Sequence, residues 1–175
     1  MNNAQFLAWL RKHDACDSAI NMVGEKTAQE VWDTWGKPTE LLWWVERSAV
    51  VSEQELTLLA CGIVRNTPLL DGRTVWDLLT DERSRNAIVT AERWAKGNAT
   101  DEELQTAARA ATAARAAWAA TSPKMAAVRA AEAATMAAWA EEAEAAARAA
   151  ARSWQLAYIR EQLPDFVERF ERGAL

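Results

Sequence analysis

At 175 residues the chain has the length of one ordinary domain with room for a core. Six glycines and four prolines exclude collagen-like and disordered compositions. One histidine and two separated cysteines leave too few ligands for a His/Cys metal site, and the single histidine also restricts triad chemistry. The net charge of −5 contains no basic half, which argues against a general nucleic-acid binder.

Two compositional features stand out. Between Ala107 and Ala151, 26 of 45 residues are alanine, and the chain carries ten tryptophans against three Phe and one Tyr. No apolar run is long enough to span a bilayer once Arg and Glu are respected. The start, MNNAQFLAWLRKHD, has no basic leader region, so the expectation is a cytoplasmic, reduced protein with two free thiols.

The elements read as helices throughout. Phe6, Trp9, Leu10 and His13 form one stripe at helical spacing, and Cys16, Ala19, Ile20 and Val23 repeat it before the stop at Gly24. Thr27-Ala-Gln-Glu30 is a capping box, followed by the stripe Ala28, Val31, Trp32, Trp35 and an end at Gly36 and Pro38. Thr39 is the expected cap of the next helix, whose Leu41-Leu-Trp-Trp-Val45 is apolar all round and predicts burial on several sides. Ser52-Glu-Gln-Glu55 is a second capping box, with Leu56, Leu59, Ala60 and Ile63 behind it.

Asn66 to Arg73 reads as a turn or loop, followed by a short apolar turn from Val75 to Leu79 and a helix from Asp81 to Lys96 that Gly97 stops. Thr100-Asp-Glu-Glu103 is a third capping box and opens the alanine-rich part. Ser122-Pro123 divides that part, because proline is disfavoured inside a helix and accepted at its first position. The spacing predicts helices over 101–121 and 123–163, folded back as a hairpin, with a last short helix over 165–172 holding Phe166 and Phe170. No strand pattern is present. The expected architecture is all-α. Short N-terminal helices (1–97, Trp-rich) pack on a long alanine-rich helical hairpin and a C-terminal helix (98–175), in one domain.

Alanine favours helix and allows close approach but buries little area, so larger anchors must supply stability. Trp118, Met125, Val128, Met136, Trp139 and Trp154 are the candidates. The simpler reading is that these anchors pack the hairpin against itself and the N-terminal helices, and that Glu141, Glu142 and Glu144, in mid-helix where the dipole does not explain them, form a solvated face; the alternative is that the far end of the hairpin presents Trp118 and Trp139 to a partner or a second copy, with the three acids as a patch for a basic partner. Trp43 and Trp44 are adjacent and point about 100° apart on a helix, so both cannot face one neighbour. These seven residues are the candidate partner-binding set.

His13-Asp14-Ala-Cys16-Asp17 is the densest reactive-looking cluster, since a Cys–His pair has the groups of a nucleophile and its base. The simpler reading is a helix end, with Asp14 or Asp17 capping the next helix and Cys16 packed inward. Cys61, in an apolar run, reads as a small core residue. Glu53/Glu55 and Glu102/Glu103 sit in first turns, where acids complement the helix dipole. No phosphate-binding, dinucleotide, nucleophile-elbow or zinc-protease motif is present, and no cofactor or metal is expected.

Ala15-Cys16, Thr27 to Trp35, Leu41-Leu-Trp-Trp-Val-Glu-Arg47, Leu59-Ala-Cys61, Arg85-Asn-Ala-Ile88 to Ala91-Glu-Arg-Trp-Ala-Lys-Gly97-Asn-Ala-Thr-Asp-Glu-Glu103, the alanine tract and Ile159-Arg to Pro164 together carry a resemblance. With them the chain resembles the immunity protein family associated with bacterial polymorphic toxins, whose relatives also occur in phages and prophages. Where such relatives often have a second cysteine just after Cys61, this chain has Gly62 and Ile63.

The resemblance implies a small helical protein that neutralises a partner by binding. The expectation is therefore a non-enzymatic inhibitor, immunity-like or phage-encoded, that occludes a protein surface on a toxin, nuclease or defence effector. The acidic balance suits a basic partner. The alternative is a scaffold that self-associates through its alanine helices as a homo-oligomer, and the remaining one an enzyme built on His13 and Cys16. Neither a nucleic acid nor a membrane is an expected partner.

Overall fold

In the computed structural model, residues 1–69, 71–113 and 145–174 are described. The protein is all-α. Its helices are α1 (Asn3–Lys12), α2 (Asp17–Val23), α3 (Ala28–Thr34), α4 (Pro38–Ser48), α5 (Glu53–Asn66), α6 (Val75–Leu78), α7 (Glu82–Ala95), α8 (Asp101–Ala113), α9 (Ala145–Gln162) and α10 (Phe166–Ala174). The Ser122-Pro123 break and the hairpin tip lie outside the described residues. No described helix is long and apolar enough to cross a membrane.

The three capping boxes form as the sequence predicts. Thr27 and Glu30 open α3, Ser52 and Glu55 open α5, and at Thr100 the backbone N–H donates to Glu103 at 2.7 Å while the Glu103 N–H donates to the Thr100 hydroxyl at 3.2 Å. Two more follow the same logic, Asn2 with Gln5 at α1 and Thr74 with Asp77 at α6. One cap differs from expectation. Pro38 is the first residue of α4 and Lys37 its N-cap, so Thr39 lies inside the helix. Proline's fixed φ and missing N–H suit that first position better than a threonine cap one residue later.

Helices α1 to α5, α9 and α10 share one core, with Phe6, Val23, Trp32, Trp44, Val45, Ile63, Ile159, Phe166 and Phe170 among its buried residues. Side chains from both ends of the sequence meet there. A smaller cluster of Val64 and Val75, covered by Leu69, Trp76, Leu79 and Ile88, seats α6 against α5 and α7.

Helices α5 and α7 run parallel, because Cys61 meets Ile88 and, one turn on, Arg65 meets Glu92. Parallel neighbours need a return path, and residues 67–81 provide it. An isolated bridge between Pro68 and Thr74, turned at Gly72 (φ +82°), carries the chain into α6 and back. Arg65 holds Glu92 with both guanidinium donors and lies 4.0 Å above the Trp76 ring, which ties the return path to the pair it connects.

α7 ends in a Schellman turn. Gly97 sits at φ +74°, its N–H donates to Trp94 at 2.9 Å, and the Asn98 N–H donates to Arg93 at 2.7 Å. Helix α8 then packs along α7. Its buried residues there are Ala107 and Ala111, one turn apart, which is the close-approach use of alanine expected from the composition.

Two arginines from the C-terminal helices fasten the N-terminal ones. Arg160 on α9 donates to the carbonyls of Trp32 at 2.7 Å and Trp35 at 2.9 Å, placing a cation on the free C=O groups that end α3. Arg169 on α10 donates to both oxygens of Glu55, at 3.0 and 3.2 Å, and to the Val50 carbonyl. That Arg169 hydrogen bond, with help from the Ser52 cap, holds the Glu55 carboxyl at about 2, far below its usual 4.5.

Tyr158 on α9 passes directly over Gly62 on α5. A Cβ at Gly62 would lie 1.9 Å from the phenol oxygen and 2.7 Å from its ring carbon. Tyr158 has little freedom to leave, since its ring is stacked on Trp154 at 5.0 Å.

Two outcomes follow. Gly62→Ala lowers stability by about 1–3 kcal/mol through overpacking. The same change in a Tyr158→Leu background becomes neutral or favourable, because alanine is then simply the better helix former by about 1 kcal/mol. Urea melts of the four proteins test this, and equal costs in both backgrounds would sink it. The second outcome concerns acid. Glu55 is depressed on folding, so its contribution is present above the unfolded value and lost as pH falls through about 2. The stability difference between wild type and Glu55→Gln therefore shrinks between pH 5 and pH 2; a constant difference across that range contradicts the pairing.

Candidate functional site

Trp43 and Trp44 separate as their adjacency requires. Trp44 turns into the core at 3 % exposure, against Phe6 (4.9 Å between ring centres), Phe166 (5.1 Å), Phe170 (5.2 Å) and Trp32 (5.9 Å). These four aromatic neighbours make its ring part of the core and not an exposed surface group. Trp43 is half-buried, edge-on to Trp9 at 6.5 Å. Trp118, Trp139, Glu141, Glu142 and Glu144 lie outside the described residues. Of the eight tryptophans among the described residues, Trp32, Trp35 and Trp44 are buried and the other five half-buried.

The His13–Cys16 cluster is not brought together as a nucleophile and base. The His13 ring stacks on Trp9 at 4.2 Å, whereas the Cys16 thiol bonds the Ser18 hydroxyl at 3.2 Å. Cys16 is exposed at the N-cap of α2, which corrects its expected inward packing. Neither Asp14 nor Asp17 is that cap: Asp17 lies in the first turn, and Asp14 occupies the left-handed region at φ +62°, one of the few side chains that tolerates it. The Ser18 hydrogen bond and the Ala19 N–H draw the Cys16 thiol below its ordinary value. Cys61 behaves oppositely. Burial pushes its thiol up to about 12, with Glu92 adding to the rise.

The acids in first turns are occupied in caps. Glu30, Asp77 and Glu103 accept from the N-cap backbones of Thr27, Thr74 and Thr100, which lowers their carboxyls. No group of three or more His, Cys, Asp or Glu able to hold a metal ion occurs among the described residues.

A cavity of about 340 Å³ opens between α1, α2, α3 and α4. Its floor is core: Phe6, Leu10, Val31, Leu41 and Trp44. Trp35 and Trp43 form aromatic walls, and the exposed Asp14 and Cys16 mark its mouth. Glu40 joins the wall with both oxygens engaged, one accepting from the Trp35 indole N–H at 2.7 Å and the other from the Lys37 ammonium at 2.7 Å. A mostly apolar concavity with a few fixed polar groups is the ordinary form of a binding site.

Sequence reasoning placed Trp43 at a contact surface but not Trp35, Glu40 or Asp14. Trp35 was assigned to the buried stripe, and Glu40 carries its signal only in lying five residues after Trp35 and three after Lys37. Asp14 is marked by its position in the gap between two apolar stripes.

The two thiols predict distinct reactivity. A disulfide reagent at neutral pH modifies Cys16 rapidly in the folded protein and Cys61 only at the rate of unfolding. Two equally fast thiols would contradict this geometry. Compared with protein-family models, curated proteins and solved structures, the chain matches none.

Proposed function

We propose that this chain is a non-enzymatic inhibitor that binds another protein and occludes its surface, in the manner of the immunity proteins it resembles. The observation that carries the reading is the open, aromatic-walled cavity between α1 and α4, with half-buried Trp43 on its wall. Tryptophans of this kind, apolar in body and reachable at one edge, dominate the energetics of protein contacts.

The employment of the reactive-looking groups supports the same reading. His13 lies against Trp9, Cys61 is a buried neutral thiol, and the first-turn acids hold caps. A net charge of −5 favours encounter with a basic partner such as a nuclease toxin. Binding of this type needs no residue to turn over. It needs a rigid face, and the α1–α4 face is fixed by the core beneath it. The partner class follows the resemblance: a toxin, nuclease or defence effector of a bacterium or its phage.

Co-expression with the product of the neighbouring reading frame tests the reading. The expected result is a stoichiometric complex on size-exclusion chromatography and loss of the partner's toxicity, with Trp43→Ala weakening the complex about tenfold or more. A toxic neighbour whose activity persists in the presence of excess chain would overturn it.

A further inference from the structure

The α1–α4 cavity combines aromatic walls with one unopposed acid. Glu40 is neutralised by Lys37 and fixed by Trp35. Asp14 is different: it stands exposed at the mouth, and among the described residues no ion pair reaches its carboxylate. Arg11 and Lys12, its neighbours in sequence, make none with it. No cationic residue lines the cavity. The site therefore offers Phe6 in its floor, Trp35 and Trp43 as walls and a carboxylate at the entrance, and the nearby Lys37 charge is already paired with Glu40.

That combination selects for an occupant. An anion would meet the unopposed Asp14 carboxylate. A purely apolar occupant would leave the Asp14 charge at the rim without a counter-charge. A cation on an apolar stem satisfies both parts, its methylenes against the walls and its head between ring faces and carboxylate.

We propose that this cavity receives an arginine or lysine side chain of the protein the chain binds, with Asp14 as the counter-charge and Trp35 and Trp43 as the walls around its stem. This deepens the inhibitor reading and rests on it for the source of the side chain. The cavity's preference for a cation stands independently of any complex, so the two are tested apart.

Short peptides separate them. Acetyl-Leu-Arg-Leu-amide is titrated against isotope-labelled protein and compared with its citrulline counterpart, which matches it closely in shape without the charge, and with its glutamate counterpart, which is shorter and negative. The arginine peptide is expected to bind about tenfold more tightly than the citrulline peptide, with indole N–H shifts at Trp35 and Trp43. In Asp14→Asn the advantage falls to about onefold while citrulline binding is unchanged. Asparagine accepts the left-handed region at least as well as aspartate, so this variant keeps the turn. Equal affinity for all three peptides, or an arginine advantage that survives Asp14→Asn, overturns the cation site. Phenethylammonium is the third arm: if it binds and neither the arginine peptide nor its lysine counterpart does, the site takes a free amine and the proposed protein source is wrong. If the peptides behave as expected but no inhibited partner forms, the inhibitor reading fails and the cation site remains.

Discussion

The indole of Trp44 is the constraint on which the rest of the arrangement depends. It touches aromatic rings from α1, α3 and α10 at once, so four helices drawn from both ends of the sequence are positioned by one side chain. Offset and edge-to-face contacts add directional preference to the area they bury. The cost of that geometry is visible. The Trp44 indole N–H is buried with no acceptor among the described residues. A lost hydrogen bond of this kind costs about 1–3 kcal/mol, and burial of the ring surface must exceed it. Shape has taken precedence over polar satisfaction at the centre of the core.

Around this aromatic centre, arginines do the long-range fastening. Arg160 reaches across from α9 to close the end of α3, and Arg169 from α10 joins the Glu55 cap to the Val50 carbonyl. In both cases one planar guanidinium meets two or three acceptor oxygens, the geometry for which arginine is better suited than lysine. Arg65 and Glu92 do the same between α5 and α7. Each pair is partly exposed, so its worth lies in fixing the relation of two helices more than in Coulomb energy. A helix bundle with short, gently amphipathic members gains a defined arrangement from such contacts.

What was legible in the sequence was local. The boxes at Thr27, Ser52 and Thr100 depend only on residues three apart, and all three form. The all-α class followed from the same short-range periodicity. Two misreadings were also local. The boxes at Asn2 and Thr74 had the required spacing and went unread, and Pro38 carried a stronger start signal than Thr39. Other features had no local signal at all. Which of Trp43 and Trp44 faces inward is decided by Phe166 and Phe170, more than 120 residues away in the chain. Arg160 recognises backbone oxygens, which leave no trace in residue identity. The cavity could not be read for the same reason, because four helices must be assembled before its walls exist.

The cavity and the core share those walls, and this ties binding to stability. Phe6, Leu10, Val31, Leu41 and Trp44 are core residues on one side and the floor of the opening on the other. Trp43 and Trp44, successive on one helix, meet the opening differently: the Trp44 ring belongs to the core and floors the opening, while the Trp43 ring flanks it. An occupant that enters leaves the unfolded chain unrecognised, so it stabilises the folded state by mass action as its concentration exceeds its dissociation constant. The same coupling constrains variation. A substitution at Trp44 disturbs the core first and the surface second, whereas Asp14 and Trp43 can change the character of the opening with the floor intact. The residues at the mouth can therefore vary while the fold is held beneath them, because the floor is fixed by the core.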